Sequence, residues 1–502
     1  MTEGSLVVFV VFLLVHGASP NDRDAHNPAI DIHPVEASLN QHYDQPYRPQ
    51  FHYTPLQGHI GDATGLVYYQ GEYHLFYMYD KWQRKRDRHK RWGHATSRDC
   101  VHWEEQPPIL DTLIDNHPGS GSGIVDWNNS AGLRSGPHKA LLVFYTDYVK
   151  GSCIAYSNDA GRTWVRHPRN PVLAGVKDMR DPTVLWYPPA AEWRMVRYEK
   201  QGFAFYGSPN LLDWTYLSRV EGLHECPDFF ELPVDGDPGQ RKWVLMDAQG
   251  SYHLGTFDGT EFKPEHEEKL PSDSGRCFYA PQTWKKTMES ASSVVQIGFL
   301  RYPSEPRLTW HCQMGFPVEL KLRRLPEGIR VCRQPIEEIN NLRVARQAWS
   351  DLVVRPGENP LSEIEGDLFD IRAEIEPAGA TAFGLTARGE TVRYSLADGK
   401  LTSGPRSTRL RLPNGRLTLR VLLDRSSLEV FPDQGQVTIS RTFFPQPDDK
   451  RLSLFAEGGD IRVISLEVNR LESIWLETDA RLGHPRVGRA FEPDSHRAHL
   501  RN

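Results

Sequence analysis

The 502-residue sequence predicts an all-β chain, a five-bladed β-propeller followed by a C-terminal β-sandwich. Three observations predict it. First, a strand-like segment ending in Ser, a polar turn with Asp or Asn, and then Trp recur as GHATSRDCVHWEE (93–105), CIAYSNDAGRTWVRH (153–167) and AFYGSPNLLDWTYL (204–217). A degenerate fourth copy is YHLGTFDGTEFKPE (252–265). Second, the copies lie about 50 to 60 residues apart, the spacing of stacked or radial repeats. In each, Ser and Asp hydrogen-bond a turn while Trp packs between neighbouring sheets, as in propeller blades, and about five blades fit between Tyr53 and Arg333. Third, beyond about Ser350 the pattern becomes short strands of period two separated by Gly, Pro and Asp turns, which indicates a sandwich.

The chain begins with an apolar run at 6–15 followed by Gly17, Ala18 and Ser19. That reads as a secretory h-region and cleavage zone, too short for a membrane span, so 1–20 is expected to be a signal peptide and the protein secreted or periplasmic. The basic n-region is missing, since Glu3 is the only charge before the run. Residues 21–44 form a polar lead-in without periodicity. The propeller is expected over 45–335 and opens with RPQFHYTPLQGHIGDATGLVYYQGEYHLFYMY (48–79), in which Gly58, Gly61 and Gly65 surround Asp62 ahead of an aromatic-rich strand pair. Glycines permit backbone angles that bring such a carboxylate close to a ligand.

A propeller gathers residues distant in sequence at one face. Candidates come one per blade: Asp62, the Ser-rich GSGSGIVD (119–126), MRDPTVLW (179–186) and HECPDFFELP (224–233). Charges inside short apolar runs need partners on burial. EEINNLRVARQAW (337–349) reads as helix-like, giving a linker over 336–349, a sandwich over 350–470 and a surface tail over 471–502.

Composition narrows the function. With 39% apolar and 25% charged residues the chain is ordinary globular protein, and a net charge of -6 gives no reason to expect nucleic acid or an anionic membrane as partner. The six cysteines, Cys100, Cys153, Cys226, Cys277, Cys312 and Cys332, show neither CxxC nor Cys/His metal spacing. Either one or two disulfides or buried free thiols fit that scatter.

The succession RPQFHYTP, GDATGLVYYQGEYHLFYMY, WGHATS, GSGSGIVD, AYSNDAGRTW, MRDP, ECPDFFELP and FYAPQTW, with SSLEVFPDQGQVTISRTFFP (426–445) later, resembles glycoside hydrolase family 32. These are fructosyl hydrolases that include invertases, levanases and inulinases, and the likeness covers roughly 43–468. It implies a retaining hydrolase of β-D-fructofuranosidic bonds, acting on sucrose or fructans through a fructosyl-enzyme, with no metal or organic cofactor. By the resemblance Asp62 is the nucleophile, Glu225 the general acid/base and Asp181 the transition-state stabiliser. Arg180, Ser120, Ser122, Trp92, His59 and Cys226 are the substrate-binding candidates. The chemistry suits these types: one carboxylate attacks the anomeric carbon and one carboxylic acid protonates the leaving oxygen, about 5 Å away. Glu225 is therefore expected where burial or negative charge raises its pKa.

The chain departs from the family pattern where Gly61 stands for Asn, Met78 for Gln and Gly119 for Phe, which suggests an altered sugar pocket. Two further functions compete with hydrolysis. One is a fructosyltransferase using the same residues. The other is a non-catalytic carbohydrate-binding propeller, or one of sialidase type, which would need a Tyr nucleophile and three clustered Arg.

Overall fold

The structure is a computed structural model that describes residues 43–81, 90–110, 118–284, 293–302 and 308–475. The apolar run at 6–15 lies outside them. Among the described residues no helix is long and apolar enough to cross a membrane.

Five antiparallel blades follow one another along the chain. Blade I contains Gly58–Tyr69, Glu72–Asp80, Arg91–Ser97 and Glu104–Ile109, and Trp310–His311 adds in parallel beside its first strand. Blade II contains Pro118–Asp126, Ala140–Asp147, Gly151–Ser157 and Val165–Arg166. Blade III contains Met179–Tyr187, Glu192–Glu199, Gly202–Ser208 and Thr215–Glu221. Blade IV contains Asp228–Val234, Asp237–Met246, Ser251–Phe257 and Phe262–Pro264. Blade V contains Phe278–Trp284, Val294–Leu300, Val318–Leu325 and Gly328–Pro335, and joins blade IV through one parallel pair, Val234 with Leu322. The first strands of successive blades touch in a closed ring, I to II through V and back to I. That contact brings backbones so close that a Cβ on Gly123 would stand 2.5 Å from the Gly65 carbonyl oxygen.

The repeated Ser, Asp and Trp residues do the work expected of them. Ser97 Oγ donates to Asp99 Oδ1 at 3.0 Å, Ser157 Oγ to Asp159 Oδ1 at 2.7 Å and Ser208 Oγ to Asn210 Oδ1 at 3.3 Å, each at the turn between the third and fourth strands. Each following Trp packs on the preceding blade. Trp164 meets Phe76 at 5.4 Å, Trp214 meets Phe144 at 6.1 Å and Trp103 meets Trp284 at 6.0 Å between ring centroids. The last of these carries the contact from blade I to blade V. In the degenerate copy Phe257 meets Phe205 of blade III at 5.6 Å.

The sandwich sets a six-stranded sheet, Arg343–Val354, Ile461–Leu471, Phe369–Glu376, Leu417–Asp424, Ser427–Pro432 and Ile439–Thr442, against a five-stranded one. Inward residues such as Ile371, Phe383, Leu385, Val421 and Leu466 form its core. The helix-like linker is corrected: only Glu337–Leu342 winds, as a 3-10 helix, and Arg343–Val354 is already a strand of the six-stranded sheet. Ile339 and Leu342 are the buried residues of that 3-10 segment, after which Arg343–Val354 pairs antiparallel with Ile461–Leu471. The start of the tail is corrected as well. Ile474 N–H donates to Gln50 O, and Trp475 stacks on Tyr43 at 3.7 Å, so residues 472–475 pack on the propeller; 476–502 lie outside the described residues.

A buried charge cluster joins the two parts. His52 Nδ1 lies 2.8 Å from Asp424 and Nε2 2.7 Å from Glu429, while Asp424 also accepts the Gln50 and Phe51 N–H groups. Burial would lower the His52 pKa, but bonds to both carboxylates raise it to about 9. A raised histidine pKa contributes stability that is complete below about 6.5 and lost as pH rises through about 9. Urea unfolding of the wild type is therefore expected to lose stability on the order of 3 kcal/mol between pH 6 and pH 10 from this group. In His52→Gln that pH-dependent loss should be missing.

Candidate active site

At the mouth of the ring the inner strands carry matching irregularities. Register slips between Ile60 and Ala63 in blade I, Gly119 and Gly121 in blade II, Arg180 and Thr183 in blade III, and Tyr279 and Gln282 in blade V. The extra residues include Asp62, Ser120 and Asp181. A bulge re-aims a side chain that strand alternation would send to a sheet face. In blade IV the same end is served by the turn ahead of Asp228–Val234, where Glu225 and Cys226 take φ of 51° and 42°. Asp181 is also in the left-handed region, at φ 57°, a conformation that side chains other than Gly hold only when their surroundings over-determine it.

These devices bring Asp62, Asp181 and Glu225 together. Ser120 Oγ donates to Asp62 Oδ2 at 2.7 Å. The Cys226 N–H donates to Asp181 Oδ2 at 3.0 Å, and its Sγ lies 3.5 Å from Asp181 Oδ2 and 3.7 Å from Asp62 Oδ2, bridging the two carboxyls. Arg180 Nε and Nη2 donate to Glu225 Oε1 at 3.0 and 2.8 Å, and its guanidinium sits 4.2 Å from the Tyr198 ring centroid. Thr146 Oγ1 receives the Asp181 N–H at 2.8 Å and donates to Ser120 O, locking blades II and III at the pocket.

Two of the candidate ligands sit elsewhere. Trp92 is fully buried, donates from Nε1 to Gly119 O at 3.2 Å and presses on Gly65; it supports the pocket wall from behind. Ser122 Oγ accepts the Val184 N–H at 2.9 Å and serves as a buried link between blades II and III. In both cases strand alternation turns the side chain away from the mouth. His59 stays near it, its Nε2 3.7 Å from the place a Cβ on Gly61 would occupy.

Other residues contribute that the motif reading did not single out. Tyr279 donates its hydroxyl to Glu225 Oε2 at 2.6 Å, and Arg301 covers the Tyr279 ring at 3.7 Å. Its signal was present in FYAP, which like MRDP and ECP sets Pro behind a residue of positive φ, here Ala280 at 47°. Tyr148, 47% exposed, lies against Gly119, so close that a Cβ there would meet its hydroxyl oxygen at 2.7 Å. An aromatic face thus stands beside Gly119 although position 119 itself has no side chain. All six cysteines are free thiols.

The electrostatics reverse one expectation. Burial acts to raise the Glu225 pKa, but the Tyr279 hydrogen bond and the Arg180 charge and hydrogen bonds outweigh it and hold the free carboxyl below its usual range. Asp62 is shifted up by burial despite the Ser120 bond, and Asp181 is raised to about 7 by burial and the neighbouring Asp62 charge. Because the folded chain binds the Asp181 proton more tightly than the unfolded chain, stability falls as pH rises from about 4 to about 7. Asp181→Asn removes that penalty. Its melting temperature should exceed the wild type's at pH 8 and converge with it near pH 4; equal melting temperatures at pH 8 would contradict the raised Asp181 pKa.

Comparison with known proteins places this architecture. Residues 52–335 match the glycosyl hydrolases family 32 N-terminal domain and residues 338–470 the family's C-terminal domain. The chain is 37% identical over 496 residues to a levanase of Bacillus subtilis (strain 168), covering 88% of this chain and 73% of the levanase. It is 28% identical to the extracellular exo-inulinase inuE of Aspergillus ficuum, over 86% of this chain and 96% of the inulinase. Among solved structures, the exo-inulinase of Aspergillus awamori superposes with a TM-score of 0.78 at 26% identity, covering 86% of this chain and 100% of that one. A closed five-bladed ring, a packed sandwich and matches to both domain models lead to one conclusion: the chain belongs to glycoside hydrolase family 32.

Proposed function

We propose that this protein is an exported β-fructofuranosidase that hydrolyses fructans or sucrose with retention at the anomeric carbon. The observation that carries the reading is the meeting of Asp62, Asp181 and Glu225, from three different blades, in one pocket of a family 32 chain. Relatives named levanase and extracellular exo-inulinase supply the substrate class and support export, with 1–20 as the signal peptide.

In this mechanism Asp62 attacks the anomeric carbon while Glu225 passes its proton to the leaving oxygen, forming a fructosyl ester on Asp62. Water then gives a proton back to Glu225 and attacks the same carbon, releasing fructose. Asp181, placed beside both, hydrogen-bonds furanose hydroxyls as positive charge develops on the ring. Glu225 must carry a proton when the leaving oxygen arrives, and Arg180 and Tyr279 oppose this in the free site. Substrate hydroxyls that draw Arg180 away release Glu225 to take up that proton, so binding and acid activation are coupled. The Tyr148 ring and the His59 imidazole flank the sugar where the chain departs from the family pattern.

Asp62→Ala should lower fructose release from inulin, levan and sucrose by about 10⁴-fold or more. Glu225→Ala should lower it by about 10²- to 10⁴-fold, less for fructosides whose leaving group needs no proton. Unchanged release by either folded variant would overturn the assignment. Tyr279→Phe removes a donor to the Glu225 carboxylate, so the limb of the kcat/KM profile that Glu225 controls should move to higher pH; an unmoved limb would count against the Glu225 role.

A further inference from the structure

At the edge of the proposed sugar site, His59 forms a cluster with His311 and Cys312 to which the reaction steps above assign no bond or proton transfer. His59 and His311 are directly opposed on parallel neighbouring strands, so their side chains leave the same face. Their rings stack at 5.1 Å and their Nδ1 atoms lie 2.9 Å apart. Cys312 follows His311 and in an extended strand would point to the opposite face. Its φ of 66° turns it back, and its Sγ comes to 3.3 Å from His311 Nδ1. One ligand atom from each of the three residues lies within 4.8 Å of the others.

We propose that these three residues bind a thiophilic d¹⁰ metal ion, zinc(II) in the first instance, beside the strand that carries Asp62. Two imidazoles and a thiolate form a borderline-soft donor set suited to zinc and unsuited to calcium or magnesium. Tetrahedral zinc with bonds of about 2.0 Å to nitrogen and about 2.3 Å to sulfur separates N from N by about 3.4 Å and N from S by about 3.6 Å. The observed 2.9 and 3.3 Å require these two separations to open by up to about half an ångström, and the His59 and Cys312 ligand atoms lie within 4.8 Å of each other. Both histidines are half-buried while Cys312 is buried, which gives the ion a route from solvent and leaves the fourth position for water. Binding deprotonates the Cys312 thiol and leaves each ring proton on Nε2, so the ion enters with release of the thiol proton. The ion would also tie the His59 strand to the segment ending at Cys312. Resting on the fructosidase reading, occupancy restrains His59 three residues from Asp62 and slows turnover.

The test uses the full chain freed of metal by chelation. Calorimetric titration with zinc chloride should give one site per chain. His311→Ala and Cys312→Ser should each weaken binding by about tenfold or more, while Asp62→Ala should leave it intact. Cobalt(II) loading should produce thiolate-to-metal charge-transfer absorption in the wild type and none in Cys312→Ser with an unchanged far-UV spectrum. Absence of a site, binding that survives loss of both His311 and Cys312, or binding lost in Asp62→Ala would each overturn the proposal. Zinc should slow fructose release by the wild type and not by Cys312→Ser; equal slowing of both would overturn the inhibitory role. The binding and absorption measurements read the site even if no fructoside is hydrolysed, so failure of the fructosidase reading is recognised separately.

Discussion

Regular strands cannot converge three carboxylates on one point, because their side chains alternate between sheet faces and the ring leaves only the strand ends free to line a pocket. The bulges in the inner strands of blades I, II, III and V relieve that constraint at Asp62, Ser120, Asp181 and next to Tyr279. Each depends on the ring around it. The closed set of inner-strand contacts holds the bulged segments from both sides; Gly121 and Gly123 allow the backbones to approach where any Cβ would collide, and Gly65 leaves room for the Trp92 and Phe76 rings.

Bringing the acids together imposes an electrostatic cost that the fold distributes unevenly. Asp62 and Asp181 are buried side by side, and burial shifts both toward the neutral form. Glu225 is spared by Arg180 and Tyr279, which together give it three hydrogen-bond donors. Burial thus favours the neutral forms of Asp62 and Asp181, while Tyr279 and Arg180 favour the charged form of Glu225. Burying these acids side by side makes the pocket a local weakness in stability, held in place by the rest of the propeller.

That support extends to the sandwich. Asp424 and Glu429, at the hairpin of its six-stranded sheet, enclose His52; Asp424 accepts the Gln50 and Phe51 N–H groups of the segment that leads into the Asp62 strand, and Glu429 accepts the Phe316 N–H. The RPQFHYTP and SSLEVFPD motifs, about 375 residues apart, are thus two halves of one buried cluster. Trp475 and Tyr43 close the same seam by stacking. The sandwich acts on the pocket through the backbone it pins.

The fold class was legible because repeats and period-two patterns are local consequences of blades and hairpins. The Ser, Asp and Trp residues of each turn needed only their own hairpin and the adjacent blade to take the positions observed. Asp62, Asp181 and Glu225 could be chosen from short motifs, since a carboxylate within an apolar or Gly-rich run already signals a partner. Trp92 and Ser122 could not be told from true pocket residues, because one register step decides whether a side chain faces the mouth or the wall. The end of winding at Leu342 is not legible in the sequence, because the strand that follows is stabilised by Ile461–Leu471, more than a hundred residues later. The state of Glu225 and the grouping of His59 with His311 and Cys312 belong to tertiary structure alone. Charge and metal-ligand geometry depend on distances of a few ångströms between residues that the sequence separates by 45 and 252 positions.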